Sequence, residues 1–117
     1  MPTILIIDDE ASIAEVMAEV LLDEGYATLT ANHGREALAL IATCRPDLML
    51  LDLFMPEMSG LDVLAHMQHD AALALIPVVM MTAGSISDLD LSHKGVIQVM
   101  SKPFSLDELI ATVRTLL

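Results

Sequence analysis

The sequence predicts an α/β domain in which a parallel sheet is covered by helices on both faces. Two observations carry this expectation. Short apolar runs alternate along the chain with stretches of helical periodicity. Several runs are apolar at nearly every position, as strands covered on both sides must be. Strands separated by helices imply right-handed crossovers and a parallel sheet.

The elements follow in order. "TILII" (3–7) is short, β-branched and continuously apolar, a first strand. "EASIAEVMAEVLLDEG" then places Ile13, Val16, Met17, Val20 and Leu21 at helical spacing, with Gly25 as a stop. "YATLTA" (26–31) is a second strand and "GREALALIATC" (34–44) a second helix, ended by Pro46. "DLMLLD" (47–52) is a third strand. "SGLDVLAHMQHD" is a helix with Ser59 and Asp62 spaced as a capping box. "IPVVMMT" (76–82) and "GVIQVMS" (95–101) are strands four and five. Between them "SISDLDLSHK" is a weak helix, short or irregular. "SLDELIATVRTLL" closes the pattern, with Ser105 and Glu108 as a second capping box and Leu106, Leu109, Ile110 and Val113 as its inner stripe.

A length of 117 residues suits one domain spanning 1–117, and 55% apolar residues are ample for a core. Seventeen acidic against five basic residues give a net charge of −12. That charge disfavours contact with nucleic acid or anionic lipid, and it suits cations or a basic partner. The start, "MPTILIIDDE", lacks the basic region of a signal peptide. The longest uncharged run, 71–87, is short for a membrane span and contains Pro77. A single cysteine, Cys44, permits no internal disulfide, which agrees with a cytoplasmic location.

In open parallel sheets, ligands bind beyond the carboxyl ends of the strands. The strand ends here are Asp8-Asp9, Asp52, Thr82 and Lys102. If strands one and three adjoin, three aspartates share one pocket. Two bare carboxylates ~4 Å apart repel by roughly 4 kcal/mol at an effective dielectric of about 20. Either a pKa rises or a cation is recruited. All-oxygen donors with room for water suit Mg²⁺ (or Mn²⁺). A carboxylate can act as nucleophile to form an acyl phosphate. Phosphoryl transfer then needs charge neutralised around the equatorial oxygens, which a divalent ion, a lysine and a hydroxyl would provide.

Each residue also has an ordinary reading. Asp8 or Asp9 could cap the next helix, Thr82 could be a plain strand residue, and Lys102 could face solvent. Asp52, after four apolar residues, is harder to set aside, because an unpaired carboxylate at a buried edge is costly. The four strand ends together favour the functional reading.

With these residues in place, the whole chain resembles the receiver domains of two-component response regulators. The likeness rests on "ILIIDDE" (4–10), "GYATLTANHGREAL" (25–38), "PDLMLLDLFMPEMSGLDVL" (46–64), "MMTAG" (80–84) and "SKPF" (101–104). It implies a doubly wound, flavodoxin-like three-layer sandwich with strand order 2-1-3-4-5. It implies Asp52 as phosphoacceptor, with Mg²⁺ held by Asp9, by Asp8 through water, by Asp52 and by the main-chain carbonyl of Phe54. Thr82 and Lys102 would each meet a phosphoryl oxygen. The donor would be a phosphohistidine on a histidine kinase or histidine phosphotransfer protein. The reader would be an output domain or target protein, and a homodimer is compatible. The chain would catalyse only its own phosphorylation and dephosphorylation. A cis Lys102-Pro103 bond is implied as well.

Two features depart from the family pattern. Val99 stands where an aromatic usually precedes the lysine, so phosphorylation is expected to be sensed without an aromatic rotamer change. Phe54, two residues after Asp52, offers no hydrogen bond to an attacking water, so slow self-dephosphorylation is expected; the small Ala83 works the other way.

Rival readings fit less well. A haloacid-dehalogenase-type aspartyl phosphatase needs a second Asp two residues after the nucleophile, where this chain has Phe54. A flavodoxin-like cofactor binder would not place "DDEAS" where phosphate must sit. A receiver-like adaptor that has lost phosphorylation would normally lack an Asp, Thr or Lys of the set. Nine scattered methionines read as core filling. His66 and His69, beside Asp62 and Asp70, read by default as a solvated helix face.

Overall fold

A computed structural model describes residues 1–83 and 95–117. The weak helix expected over 85–94 lies outside the described residues. Five strands, β1 (Thr3–Ile7), β2 (Ala27–Ala31), β3 (Leu48–Asp52), β4 (Val78–Thr82) and β5 (Val96–Ser101), form one parallel sheet in the order β2-β1-β3-β4-β5. The helices are α1 (Ala11–Asp23), α2 (Gly34–Cys44), α3 (Gly60–Met67) and α4 (Leu106–Leu116). A single 3₁₀ turn, Leu73–Leu75, precedes β4.

The continuous apolar strands divide their side chains between two cores, as the two-residue pleat requires. Leu5, Ile7, Met49, Leu51, Val78 and Met80 pack towards α2 and α3. Ile4, Ile6, Leu48, Leu50, Val79 and Met81 pack towards α1 and α4. Each fully buried aliphatic side chain contributes about 1.5–3 kcal/mol, so the two cores together hold the three layers. Arg114 of α4 pairs with Glu24 after α1, tying those two helices at the surface.

Several expectations are corrected in detail. The buried stripe of α1 is Ala14, Met17 and Leu21, while Ile13 and Val16 are exposed. The inner face of α4 is Leu109 and Val113; Leu106 is exposed. Small Ala14 lets α1 approach the sheet, and a hydrophobicity count passes over it. The Ser59–Asp62 capping box forms in both directions. At α4 only Ser105 acts, accepting from the Glu108 N–H at 3.1 Å. Strand β4 begins after Pro77, which has no N–H to donate, and β5 begins after Gly95, whose φ of +82° is not a strand conformation.

Candidate functional site

Strands β1 and β3 are adjacent, so the residues that end or follow them meet at one rim of the sheet. Asp8 immediately follows β1, Asp52 ends β3, Thr82 ends β4 and Lys102 follows β5. Asp8 is 0% exposed, Asp52 4% and Thr82 1%. Asp8, Asp9 and Asp52 each offer a carboxylate oxygen within 4.8 Å of the others.

Lys102 bridges this acidic group. Its Nζ lies 2.8 Å from Asp8 Oδ2 and 3.4 Å from Asp52 Oδ2. The lysine therefore does not face solvent, and it reaches back across the sheet to the first strand. Its backbone is anchored too, since the Lys102 N–H donates to the Thr82 carbonyl at 2.8 Å. The Lys102-Pro103 bond is cis.

Asp8 does not cap α1. The N-cap is Glu10, without a side-chain cap, and Asp8 Oδ1 accepts from the Glu10 N–H at 3.0 Å. Asn32, just beyond β2, donates through Nδ2 to the Asp8 carbonyl at 3.3 Å. Strand spacing did not single out Asn32. A side-chain bond to a main-chain carbonyl leaves no periodic trace in a sequence.

The loop after β3 is drawn in tightly. Gly60 N–H donates to the Leu53 carbonyl at 2.9 Å. A Cβ at Gly60 would sit 2.6 Å from the Asp52 carbonyl oxygen. Phe54 keeps its ring outside, 59% exposed, while its backbone N–H favours the ionised Asp52 carboxylate. The loop thus leaves the Phe54 main chain near Asp52 and its side chain in solvent.

The electrostatics follow from this placement. Burial pushes the Asp52 carboxyl up from 3.8 to about 6; the Asp8 charge adds to the rise, and Lys102 and the Phe54 N–H oppose it. Burial alone would lower the Lys102 ammonium, but its bonds to Asp8 and Asp52 outweigh that and hold it above the usual lysine value. One half-buried cation beside three carboxylates leaves net negative charge, so the donor set fits a hard divalent ion.

Beside Lys102 and Ala83 lies an apolar groove of about 520 Å³ between α1 and the start of α4, lined by Ile13, Val16, Phe104 and Leu106. His66 and His69 line a separate surface groove with Asp62 and belong to no metal-ligating cluster found among the described residues. No helix among the described residues is long and apolar enough to cross a membrane.

Comparison with known proteins agrees with this geometry. The chain is 41% identical over 113 residues to the DNA-binding response regulator MtrA of Mycobacterium tuberculosis, covering 95% of this chain and 48% of that protein. It is 38% identical over 117 residues to the phosphate regulon transcriptional regulatory protein PhoB of Pseudomonas aeruginosa, covering 98% and 51%. The chain thus spans about half the length of these curated relatives. Among solved structures, the chemotaxis protein CheY4 of Vibrio cholerae superposes with a TM-score of 0.92 at 29% identity, covering 100% of this chain and 99% of that one. The sequence model of the response regulator receiver domain matches residues 4–114. The chain belongs to the response regulator receiver domain family, the phosphoryl-accepting switches of two-component systems.

Proposed function

We propose that Asp52 is the phosphoacceptor and that Asp8, Asp9, Thr82 and Lys102 serve it. The observation that carries this reading is the Lys102 ammonium spanning Asp8 and Asp52 at 2.8 and 3.4 Å. A carboxylate oxygen of Asp52 attacks phosphorus as the phosphorus–nitrogen bond of a phosphohistidine breaks. The electron pair stays on the imidazole, so no base from this chain is needed. Lys102, already at the acceptor, pairs with one phosphoryl oxygen, and the Thr82 hydroxyl donates to another. Asp8, Asp9, Asp52 and the Phe54 carbonyl would hold Mg²⁺ (or Mn²⁺), which when bound supplies positive charge to the remaining phosphoryl oxygen.

The chain in this reading turns over no external substrate and catalyses only its own modification. Its donor is a histidine kinase or histidine phosphotransfer protein. The groove beside Lys102 supports this, because it offers such a protein apolar surface next to the acceptor. Phosphorylation shifts the population towards a conformation read by an attached output domain or separate target. MtrA is a DNA-binding regulator, and this chain's −12 charge disfavours such a contact by this segment. A single domain over 1–117 and a cytoplasmic location complete the reading.

Acetyl phosphate provides the test. With Mg²⁺, mass spectrometry should find one added phosphoryl group on the native chain and none on Asp52→Ala; omission of Mg²⁺ should abolish labelling. Labelling that persists in Asp52→Ala would overturn the assignment. Hydrolysis of generic phosphoesters would point instead to a phosphatase.

A further inference from the structure

At the opposite edge of the sheet from β5 lies β2. The Ala27 N–H donates to the Pro2 carbonyl, and the Ala31 carbonyl accepts from the Asp8 N–H. In a parallel ladder, alternate residues bond to one neighbour, so Thr28 and Thr30 turn their backbone N–H and C=O groups away from β1. That edge opens into a groove of about 550 Å³ that runs from α1 to α2. Thr28, Leu29 and Thr30 form its floor, Leu40 adds apolar surface, and Glu15 and Glu19 of α1 stand along one wall.

Three properties distinguish this edge. It carries none of the usual protection against strand addition: "ATLTA" has no proline, no lysine and no inward charge. Its lining includes Glu36 as well as Glu15 and Glu19, and no basic side chain. Glu15 and Glu19 also stand four apart on one helix face, a like-charge spacing that destabilises an isolated helix. A cation between the α1 carboxylates would relieve that cost. Two copies of this chain pairing edge to edge would instead bring both acidic rims, each on a −12 chain, into contact.

We propose that the β2 edge is a docking site for an extended, lysine- or arginine-bearing segment of a partner protein. The segment adds to the sheet as a further strand. Its backbone bonds to Thr28 and Thr30, its apolar side chains rest on Leu29 and Leu40, and its cations meet Glu15 and Glu19. Backbone pairing supplies affinity, and the acidic rim supplies selection for basic sequence. The residues of this site are distinct from those of the phosphoryl-accepting rim.

A synthetic probe tests this with the whole chain. The acetylated, amidated peptide Lys-Val-Lys-Val-Lys-Val should slow amide exchange at Thr28 and Thr30 about tenfold or more at saturation. The double variant Glu15→Gln, Glu19→Gln, which alters only exposed side chains, should weaken that binding roughly fivefold. A peptide of the same sequence with every backbone amide N-methylated keeps its charge but loses its donors on both edges, and it should not protect those amides. Equal binding of the methylated peptide would reduce the effect to diffuse electrostatics and overturn the proposal. So would protection of Thr28 and Thr30 that rises with protein concentration in the absence of peptide, which would make a second copy the occupant.

Discussion

Asp52 is held at 4% exposure between a like charge on Asp8 and the ammonium of Lys102. Its carboxyl titrates near 3.8 in an unfolded chain and at about 6 in the fold. The folded state therefore keeps this proton over a range in which the unfolded state has lost it. Stability from this residue falls as pH rises from about 4 through 6, and the deficit stays above that range. At 1.36 kcal/mol per unit, the deficit is at most roughly 3 kcal/mol. In the metal-free protein, Asp52→Asn should raise the urea midpoint at pH 7.5 and change it little at pH 4, where native Asp52 is already neutral. Saturating Mg²⁺ should narrow the gap at pH 7.5 by stabilising the native carboxylate. A variant less stable than native at pH 7.5 without metal would contradict this account. Phe54 carries a second expectation. Its exposed ring cannot hydrogen-bond a water approaching the acyl phosphate. Phe54→Asn should hasten loss of the phosphoryl group by about tenfold, the worth of one well-placed hydrogen bond. Phosphate release after removal of donor measures it, and an equal or slower rate in the variant would refute the ring's protective role.

At the level of elements, the turn from β3 into α3 is the least forgiving. A methyl group at Gly60 would meet the Asp52 main-chain oxygen at 2.6 Å and the Leu53 Cα at 3.0 Å, and neither is a flexible side-chain end. Gly60→Ala should cost about 2–4 kcal/mol in chemical unfolding and weaken Mg²⁺ binding, because the loop that carries Phe54 must shift. At Gly34 an added Cβ would meet the Met58 side chain down to its Cβ at 2.9 Å, so the turn carrying Met58 would have to shift. The sheet was legible in the sequence because β1, β3 and β4 are buried on both faces and leave a continuous apolar signature. Helix faces were less so. Ile13 and Val16 share the period of a core stripe but line the groove beside Lys102. The site was legible for the same reason as the sheet. Polar residues at the ends of apolar strands are conspicuous, and Asp8, Asp52, Thr82 and Lys102 all stand there. Asn32 was not, because its contribution is a bond to a carbonyl 24 positions away.

At the scale of the whole molecule, Val99 bears on how an event at the rim reaches a partner. Val99, half-buried on β5 and paired with Met80, packs into the core shared with α2 and α3. An aliphatic side chain there has no polar tip to exchange between two environments. If readout proceeds without such an exchange, Val99→Tyr should leave the phosphorylation-induced change in amide exchange within about twofold of native. A much larger change would show that an aromatic at 99 creates coupling that the native chain lacks.

The ammonium that steadies Asp8 enters the chain 94 residues later. A ribosome-bound fragment that has made only the first three strands already carries every carboxylate of the pocket and lacks its counter-ion. The proposed chemistry at Asp52 therefore waits on the fifth strand, which brings an ammonium to the carboxylates of the first and third.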